Sequence, residues 1–235
     1  KQSLNYLESV PATEETLELS IYAWQMLKRY DKALPLAERY LAQQKTIADQ
    51  WLNFMVAANV ELKRFDAAER WQKRLLARYP TRVQQWVQLA GIQQVADNHV
   101  KAFANLRTDY QQGLDFTADD LDRLVILSSA ADQPWQGVRL LEALMQEGTL
   151  PRTVARQERL AQLQWQAREH SDALAAYQRL AKQSQQAKHW MAVVQLASEQ
   201  ERWEEANQAL QAAASAGANR SEVRSWQDWI AASVE

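Results

Sequence analysis

Between Trp51 and Pro80 the chain reads WLNFMVAANVELKRFDAAERWQKRLLARYP, with its apolar residues at the three- and four-residue spacing of a helix face, twice over. Leu52, Met55, Val56 and Asn59 mark the inner side of a first helix; Ala68, Leu75 and Leu76 mark that of a second. Phe65 stands at the polar break Lys63–Asp66 between them. Pro80 closes the second helix, because proline has no N–H to extend one. Two short amphipathic helices joined by a tight turn make one unit, and neither can bury its apolar stripe alone.

The same pattern recurs along the chain. Leu17, Ile21 and Trp24 precede a turn at Tyr30–Asp31 and a helix with Ala33, Ala37, Tyr40 and Leu41, in which Pro35 lies about one turn from the start. Trp86, Leu89 and Ala90 precede a turn at Asp97–His99. Leu121, Leu124 and Val125 precede Pro134–Trp135. The fifth pair carries Leu160, Ala161, Ala173, Tyr177 and Leu180, and the sixth Val193, Val194, Ala197, Ala206 and Leu210. A last helix holds Val223, Trp226, Trp229 and Ile230. Helix starts are expected at Thr13, at the capping-box patterns Thr46-x-x-Asp49, Thr81-x-x-Gln84 and Thr117-x-x-Asp120, at Pro151 and at Ser221. Before Thr13, Leu4, Tyr6, Leu7 and Val10 suggest a partial turn, extended at Val10 ahead of Pro11.

Small residues fix the period. Ala33, Ala68, Ala102, Gly137, Ala173 and Ala206 follow one another at 35, 34, 35, 36 and 33 residues. A small side chain there lets two helices of a hairpin approach closely. Three positions earlier stand Tyr30, Phe65, His99, Pro134, His170 and Trp203, mostly flat rings suited to wedge into the turn. Sixteen positions earlier stand Leu17, Leu52, Trp86, Leu121, Gln157 and Trp190. A two-helix unit of this period resembles the tetratricopeptide repeat (TPR) family. Trp86-x2-Leu89-Ala90 with Ala102, and Trp190-x2-Val193-Val194 with Ala206, carry the resemblance best. Gln72, Ala37 and Gln157 depart from it, where the family prefers large aromatic or apolar residues.

The resemblance implies an all-α, right-handed superhelical solenoid of about six helix hairpins. They are expected near residues 14–45, 47–80, 81–114, 117–149, 152–184 and 186–216, after an extension over 1–13 and before a capping helix over 220–235. In the family the first helix of each unit lines a concave groove. Transferred by alignment, Glu15, Glu18, Tyr22, Gln25 and Met26 face it from the first unit, and Gln50, Asn53, Ala57, Val60 and Glu61 from the second. The third supplies Gln84, Val87, Gly91 and Gln94; the fourth Asp119, Asp122, Ile126 and Ser129. The fifth supplies Glu158, Gln162, Trp165 and Gln166; the sixth Lys188, Met191, Gln195 and Ser198. Such a groove is acidic at its N-terminal end and rich in amides beyond. It lacks the basic clamp with which TPR co-chaperones hold a peptide carboxylate. Amides suit the backbone of an extended segment, and Tyr22 and Trp165 are its candidate anchors.

Composition narrows the chemistry. The 235 residues are 47% hydrophobic and 24% charged, with five Gly and five Pro, which argues against an all-β fold. A formal net charge of −2 implies no general attraction to nucleic acid or anionic lipid. The basic groups Lys28–Arg29, Lys63–Arg64 and Lys73–Arg74 are offset by nearby acids and form no stripe. Without cysteine there is no disulfide, thiolate metal site or cysteine nucleophile. His99 and His170 share the ring position of Tyr30 and Phe65, and His189 has no partner at metal-ligand spacing. Paired carboxylates sit mostly at helix starts, where the dipole accounts for them. No glycine-rich phosphate loop or nucleophile elbow occurs. Neither catalysis, metal, cofactor nor nucleic acid is expected; a protein or peptide partner is.

Residues 5–41, NYLESVPATEETLELSIYAWQMLKRYDKALPLAERYL, also resemble the opening of TPR proteins that accompany TonB–ExbB–ExbD energy-transducing systems. That resemblance implies an exported, periplasmic accessory of TonB-dependent transport, partnered by a component of that system and touching membrane only by association or through an anchor. The start at Lys1 rather than Met fits a processed or trimmed product. A scaffold in envelope assembly or cytoplasmic regulation, and the helical part of a larger enzyme, remain alternatives.

Overall fold

The structure, a computed structural model, describes residues 13–234. The features expected at Leu4, Tyr6, Leu7, Val10 and Pro11 lie outside the described residues. The chain divides into two compact units, Lys1–Thr117 and Ala118–Glu235. Among the described residues thirteen helices and no strand occur. The first unit holds α1 (Glu14–Met26), α2 (Tyr30–Leu41), α3 (Asp49–Glu61), α4 (Phe65–Arg78), α5 (Val83–Val95) and α6 (His99–Gln111). The second holds α7 (Ala118–Ala130), α8 (Pro134–Gln146), α9 (Val154–Gln166), α10 (His170–Ser184), α11 (Ala187–Glu199), α12 (Trp203–Ser215) and α13 (Arg220–Val234). Within each unit every helix packs on the next, giving three hairpins per unit and the additional helix α13 in the second.

The period of the small residues is the period of the hairpins. Ala33, Ala68, Ala102, Ala173 and Ala206 are fully buried, and Gly137 is buried at the same place in α8. The residue three positions before each is the first residue of the hairpin's second helix. Tyr30, Phe65, His99, His170 and Trp203 are half-buried there, while Pro134 is buried, as suits a first-turn position that donates no helical hydrogen bond.

A second signature is invisible in residue type. Lys28, Lys63, Asp97, Asp132, Arg168 and Glu201, each five residues before the small residue, all have positive φ, between 55° and 62°. The next residue's N–H reaches back five residues to a carbonyl, as from Arg64 to Asn59 at 2.7 Å and from Glu169 to Gln164 at 2.9 Å. This left-handed C-terminal closure satisfies the carbonyls that the first helix would otherwise leave unpaired. It is made six times, with no glycine.

Helix starts depart from several expectations. Thr13 does cap α1, in a reciprocal arrangement with Thr16. Thr46 and Thr81 do not cap: Ala48 and Arg82 hold the cap positions of α3 and α5, without a side-chain bond. Asp49 instead accepts hydrogen bonds from Arg78 (2.6 Å) and Tyr79, tying α3 to the end of α4. α9 starts from Thr153 rather than Pro151, the threonine hydroxyl accepting from the Arg156 N–H at 3.3 Å. Ser221 lies inside α13, and Asn219 receives its N–H at 2.9 Å.

Each unit has its own apolar core. In the first, Leu17, Ile21, Leu34, Trp51 and Met55 pack together. In the second, Leu174, Leu180, Val194, Leu196, Leu210 and Ile230 do so. Each buried leucine of this kind stabilises by about 2 kcal/mol. Asn59, Gln93, Ser128 and Gln164, nine residues before the small residue of their hairpins, are buried polar groups at the helix crossing. Asn59 donates to the Met55 carbonyl at 2.7 Å, and Ser128 to that of Val125 at 2.6 Å. Gln72, unexpectedly polar for its place, is fully buried and donates to the Gln85 carbonyl at 2.9 Å, linking α4 to α5.

Candidate functional site

The first helices of the hairpins carry the residues expected to face a partner, and their register decides which do. Residues eleven and eighteen positions before the small residue are the most open. Tyr22, Ala57, Ile126 and Gln195 are exposed at the first position, with Gly91 and Gln162 half-buried. Glu15, Gln50, Gln84, Asp119, Ala155 and Lys188 are exposed at the second. Asn53 is exposed as well. Gln25, Gln94, Asp122, Glu158 and Trp165 are half-buried, the last three in contact with a neighbouring first helix. Two expected groove residues are not on the surface. Val87 is 3% exposed and Ser198 4%, both taken into the packing of their helices.

In the first unit Tyr22 of α1 rests against Trp51 of α3, with ring centroids 5.7 Å apart, yet remains 42% exposed. Trp51 is itself buried between Tyr40, at 4.7 Å, and Phe54, at 5.9 Å. Burial, followed by the nearby Glu18 and Glu14 carboxylates, pushes the Tyr40 phenol up from its ordinary value. Tyr22 thus covers a neighbouring helix and still offers a ring edge to solvent.

In the second unit the same face is stitched by polar contacts from one hairpin to the next. Arg156 of α9 grips both carboxylate oxygens of Asp122 on α7, at 2.9 and 2.7 Å. Ser129 donates to Gln166 at 2.6 Å. One hairpin further on, Lys188 of α11 donates to both oxygens of Glu158 on α9, at 2.7 and 2.8 Å. The Trp165 indole N–H donates to Glu199 at 3.1 Å. The two pairs of contacts repeat nearly the same register, so the same polar link joins each of these first helices to the next. Burial pulls the Glu158 carboxyl up, but its bonds to Lys188 and His189 outweigh that and hold it below the usual range.

His189 has a carboxylate neighbour after all, supplied by another helix. Its Nε2 lies 3.4 Å from Glu158, and its Nδ1 is 2.6 Å from the Ser184 hydroxyl. The ring is only 1% exposed, so this Ser–His–Glu line joins α9 to α11 beneath the surface and offers no open nitrogen to a substrate. His99, 3.2 Å from Asp97, and His170, 3.8 Å from Glu199, sit at helix starts. Among the described residues no three His, Asp or Glu converge as a metal site, and no helix is long and apolar enough to cross a membrane.

One opening on this face lies at its C-terminal end. A cavity of about 500 Å³ is lined by Trp165, by Lys188, Met191 and Gln195 of α11, and by Glu222 and Trp226 of α13. The Trp165 ring is held edge-on to Tyr177 at 6.2 Å, and Trp226 edge-on to Trp229 at 5.4 Å. A second opening of about 320 Å³ lies beside the Asp122–Arg156 pair, lined also by Ile126 and Arg159. The α13 wall of the larger cavity was not legible in sequence, where Trp226 reads only as part of an end-capping stripe. The i, i+4 pair Glu222 and Trp226 was the available signal, since both fall on one helix face.

No protein-family model and no curated protein matches the chain. Solved structures do. The C-terminal part of a TPR repeat-containing protein from Cytophaga hutchinsonii superposes with a TM-score of 0.64 at 12% identity, covering 96% of this chain and 92% of that one. The fold is that of tetratricopeptide repeats. A second TPR protein, YrrB, described as having an unusual peptide-binding site, is similar with a TM-score of 0.57 at 12% identity, over 82% of this chain and 97% of its own. A chain from the Naa15/Naa10 complex bound to HypK-THB reaches 0.66 at 15% identity over 80% of this chain, which spans only 29% of that chain's length. At these identities the TPR fold is what is shared.

Proposed function

We propose that this chain is a non-catalytic scaffold whose first-helix face holds an extended segment of a partner protein. The observation that carries the reading is the cavity between Trp165, α11 and α13, which opens on that face beside the polar ladder. A cavity with aromatic walls accepts a side chain, while the exposed amides Gln84, Asn53 and Gln195 can pair with a partner's backbone. YrrB, a TPR protein of similar fold described as having an unusual peptide-binding site, supports a peptide as the kind of partner. In the second unit Asp122, Gln162 and Trp165 complete the proposed contact surface; in the first unit Tyr22, Gln25 and Gln94 are separate candidate contacts. The test is recovery of partners by the immobilised chain, with and without Tyr22→Ala and Trp165→Ala. Loss of partners from a folded double variant is expected; unchanged recovery sinks the reading.

A finer placement rests on the resemblance of residues 5–41 to TPR accessories of TonB systems: a periplasmic protein acting in TonB-dependent uptake. Fractionation of cells producing the native reading frame, followed by co-purification with TonB, ExbB or ExbD, tests it. Residence in the cytoplasm overturns the transport role and leaves a cytoplasmic regulatory scaffold.

A further inference from the structure

We infer that the cavity between α11 and α13 receives a cationic side chain, arginine or lysine, from the partner segment; this rests on the reading of that face as a protein-binding surface. Indole rings and charged side chains stand among the residues that line the cavity. Trp165 and Trp226 line it, each held in place by an edge-on aromatic neighbour. A fixed indole face attracts a cation through its ring quadrupole, more strongly than any other side-chain ring.

Charge then selects the sign of the occupant. Lys188 and Glu222 are the charged residues among the lining. Lys188 is neutralised by both oxygens of Glu158, at 2.7 and 2.8 Å. Glu222 makes no hydrogen bond or ion pair among the described residues, so its carboxylate is the cavity's one uncompensated charge. Glu199 accepts from the Trp165 indole N–H at 3.1 Å and from Gln195 at 3.0 Å, with the His170 ring 3.8 Å away. The unpaired charge among the lining residues is therefore negative. Met191 and Ala192 give the stem of a long side chain an apolar wall. An anionic side chain meets Glu222 with like charge, and a purely apolar one leaves it unpaired.

The small probes N-acetyl-arginine amide, N-acetyl-citrulline amide and N-acetyl-norleucine amide separate these possibilities. Their binding is read from the indole N–H signals of the ¹⁵N-labelled chain, assigned with Trp165→Phe and Trp226→Phe. The arginine probe should shift both signals saturably at tens of millimolar. It should bind about fivefold or more tightly than the citrulline probe, which has the same shape without the charge. Glu222→Gln, a change at an exposed position, should erase that difference, and added salt should shrink it. Equal binding of norleucine and arginine, indifference to Glu222→Gln, or no saturable shift overturns the assignment. The protein-binding reading is judged separately, by partner recovery with Tyr22→Ala and Trp165→Ala, so either can fail alone.

Discussion

Ser128 and Gly137 face each other where α7 crosses α8, so closely that a β-carbon on Gly137 would fall 2.0 Å from the serine Oγ. The other five hairpins hold alanine at the position of Gly137, nine residues after Trp24, Asn59, Gln93, Gln164 or Ala197. In the fourth hairpin the serine hydroxyl, donating to the Val125 carbonyl, occupies that space instead. Gly137→Ala should therefore destabilise the second unit by about 1–3 kcal/mol through overpacking, despite alanine's better helix propensity. Pairing it with Ser128→Ala should restore part of the loss. Part only, because Ser128 Cβ and a Leu163 methyl also lie within 3.2 Å of the added carbon. Urea unfolding of the two single variants and the double variant measures this coupling directly.

The six left-handed turns make a second prediction. Arg168 holds φ at +61° with an L side chain, a conformation that glycine adopts without strain. Relief of that strain exceeds the extra freedom glycine gives the unfolded chain, so Arg168→Gly should stabilise by about 0.5–1 kcal/mol. Arg168→Ala keeps the β-carbon and should gain nothing. Equal gains from both would place the effect in the arginine side chain rather than in the backbone.

What could be read in the sequence was what a helix encodes locally. The small residues at Ala33, Ala68 and their equivalents, and the rings that start the second helices, repeat at positions where one hairpin constrains itself. Thr46 and Thr81 misled because a capping pattern states where a helix could start. The contact of Asp49 with Arg78 and Tyr79, made across the hairpin, accompanies a later start. The left-handed turns were hidden because Lys, Asp, Arg and Glu share no residue type that announces them. On the candidate face, Tyr22, Gln84 and Gln195 could be placed by helical period alone. The half-burial of Asp122 and Trp165 depends on how neighbouring first helices pack. So does the arrival of Glu222 and Trp226 from α13, which no single helix pattern contains.

The grip of Arg156 on Asp122 joins α7 to α9 on that same face. The arginine side chain is 15% exposed and the carboxylate 35%, so solvent weakens the pair without removing it. A double-mutant cycle with Asp122→Asn and Arg156→Gln should give a coupling of about 1 kcal/mol, larger than for a fully exposed pair. Added salt should reduce it only modestly. A coupling indistinguishable from zero would mean that the adjacent helices hold their positions by apolar packing alone.

Asp109 supplies the pH dependence. It is 2% exposed in the last turn of α6, and its Oδ2 has no hydrogen-bond partner. Burial pushes its carboxyl up to about 7, well above the ordinary value of 3.8. The folded state therefore holds a proton that the unfolded chain has already released. Stability contributed at this site is fullest below the unfolded value, declines as pH rises from about 4, and is lost by about 7. Asp109→Asn removes the titration while keeping the shape of the side chain. The variant should be more stable than the parent by up to roughly 4 kcal/mol at pH 8, with the advantage shrinking toward zero at pH 4. Glu158 acts in the opposite sense: its lowered value means that its bonds to Lys188 and His189 are lost only as acid protonates it below the usual carboxylate range. Denaturant midpoints of the parent and of Asp109→Asn, measured from pH 4 to pH 8, separate the two. A difference independent of pH would show that Asp109 does not titrate in this window.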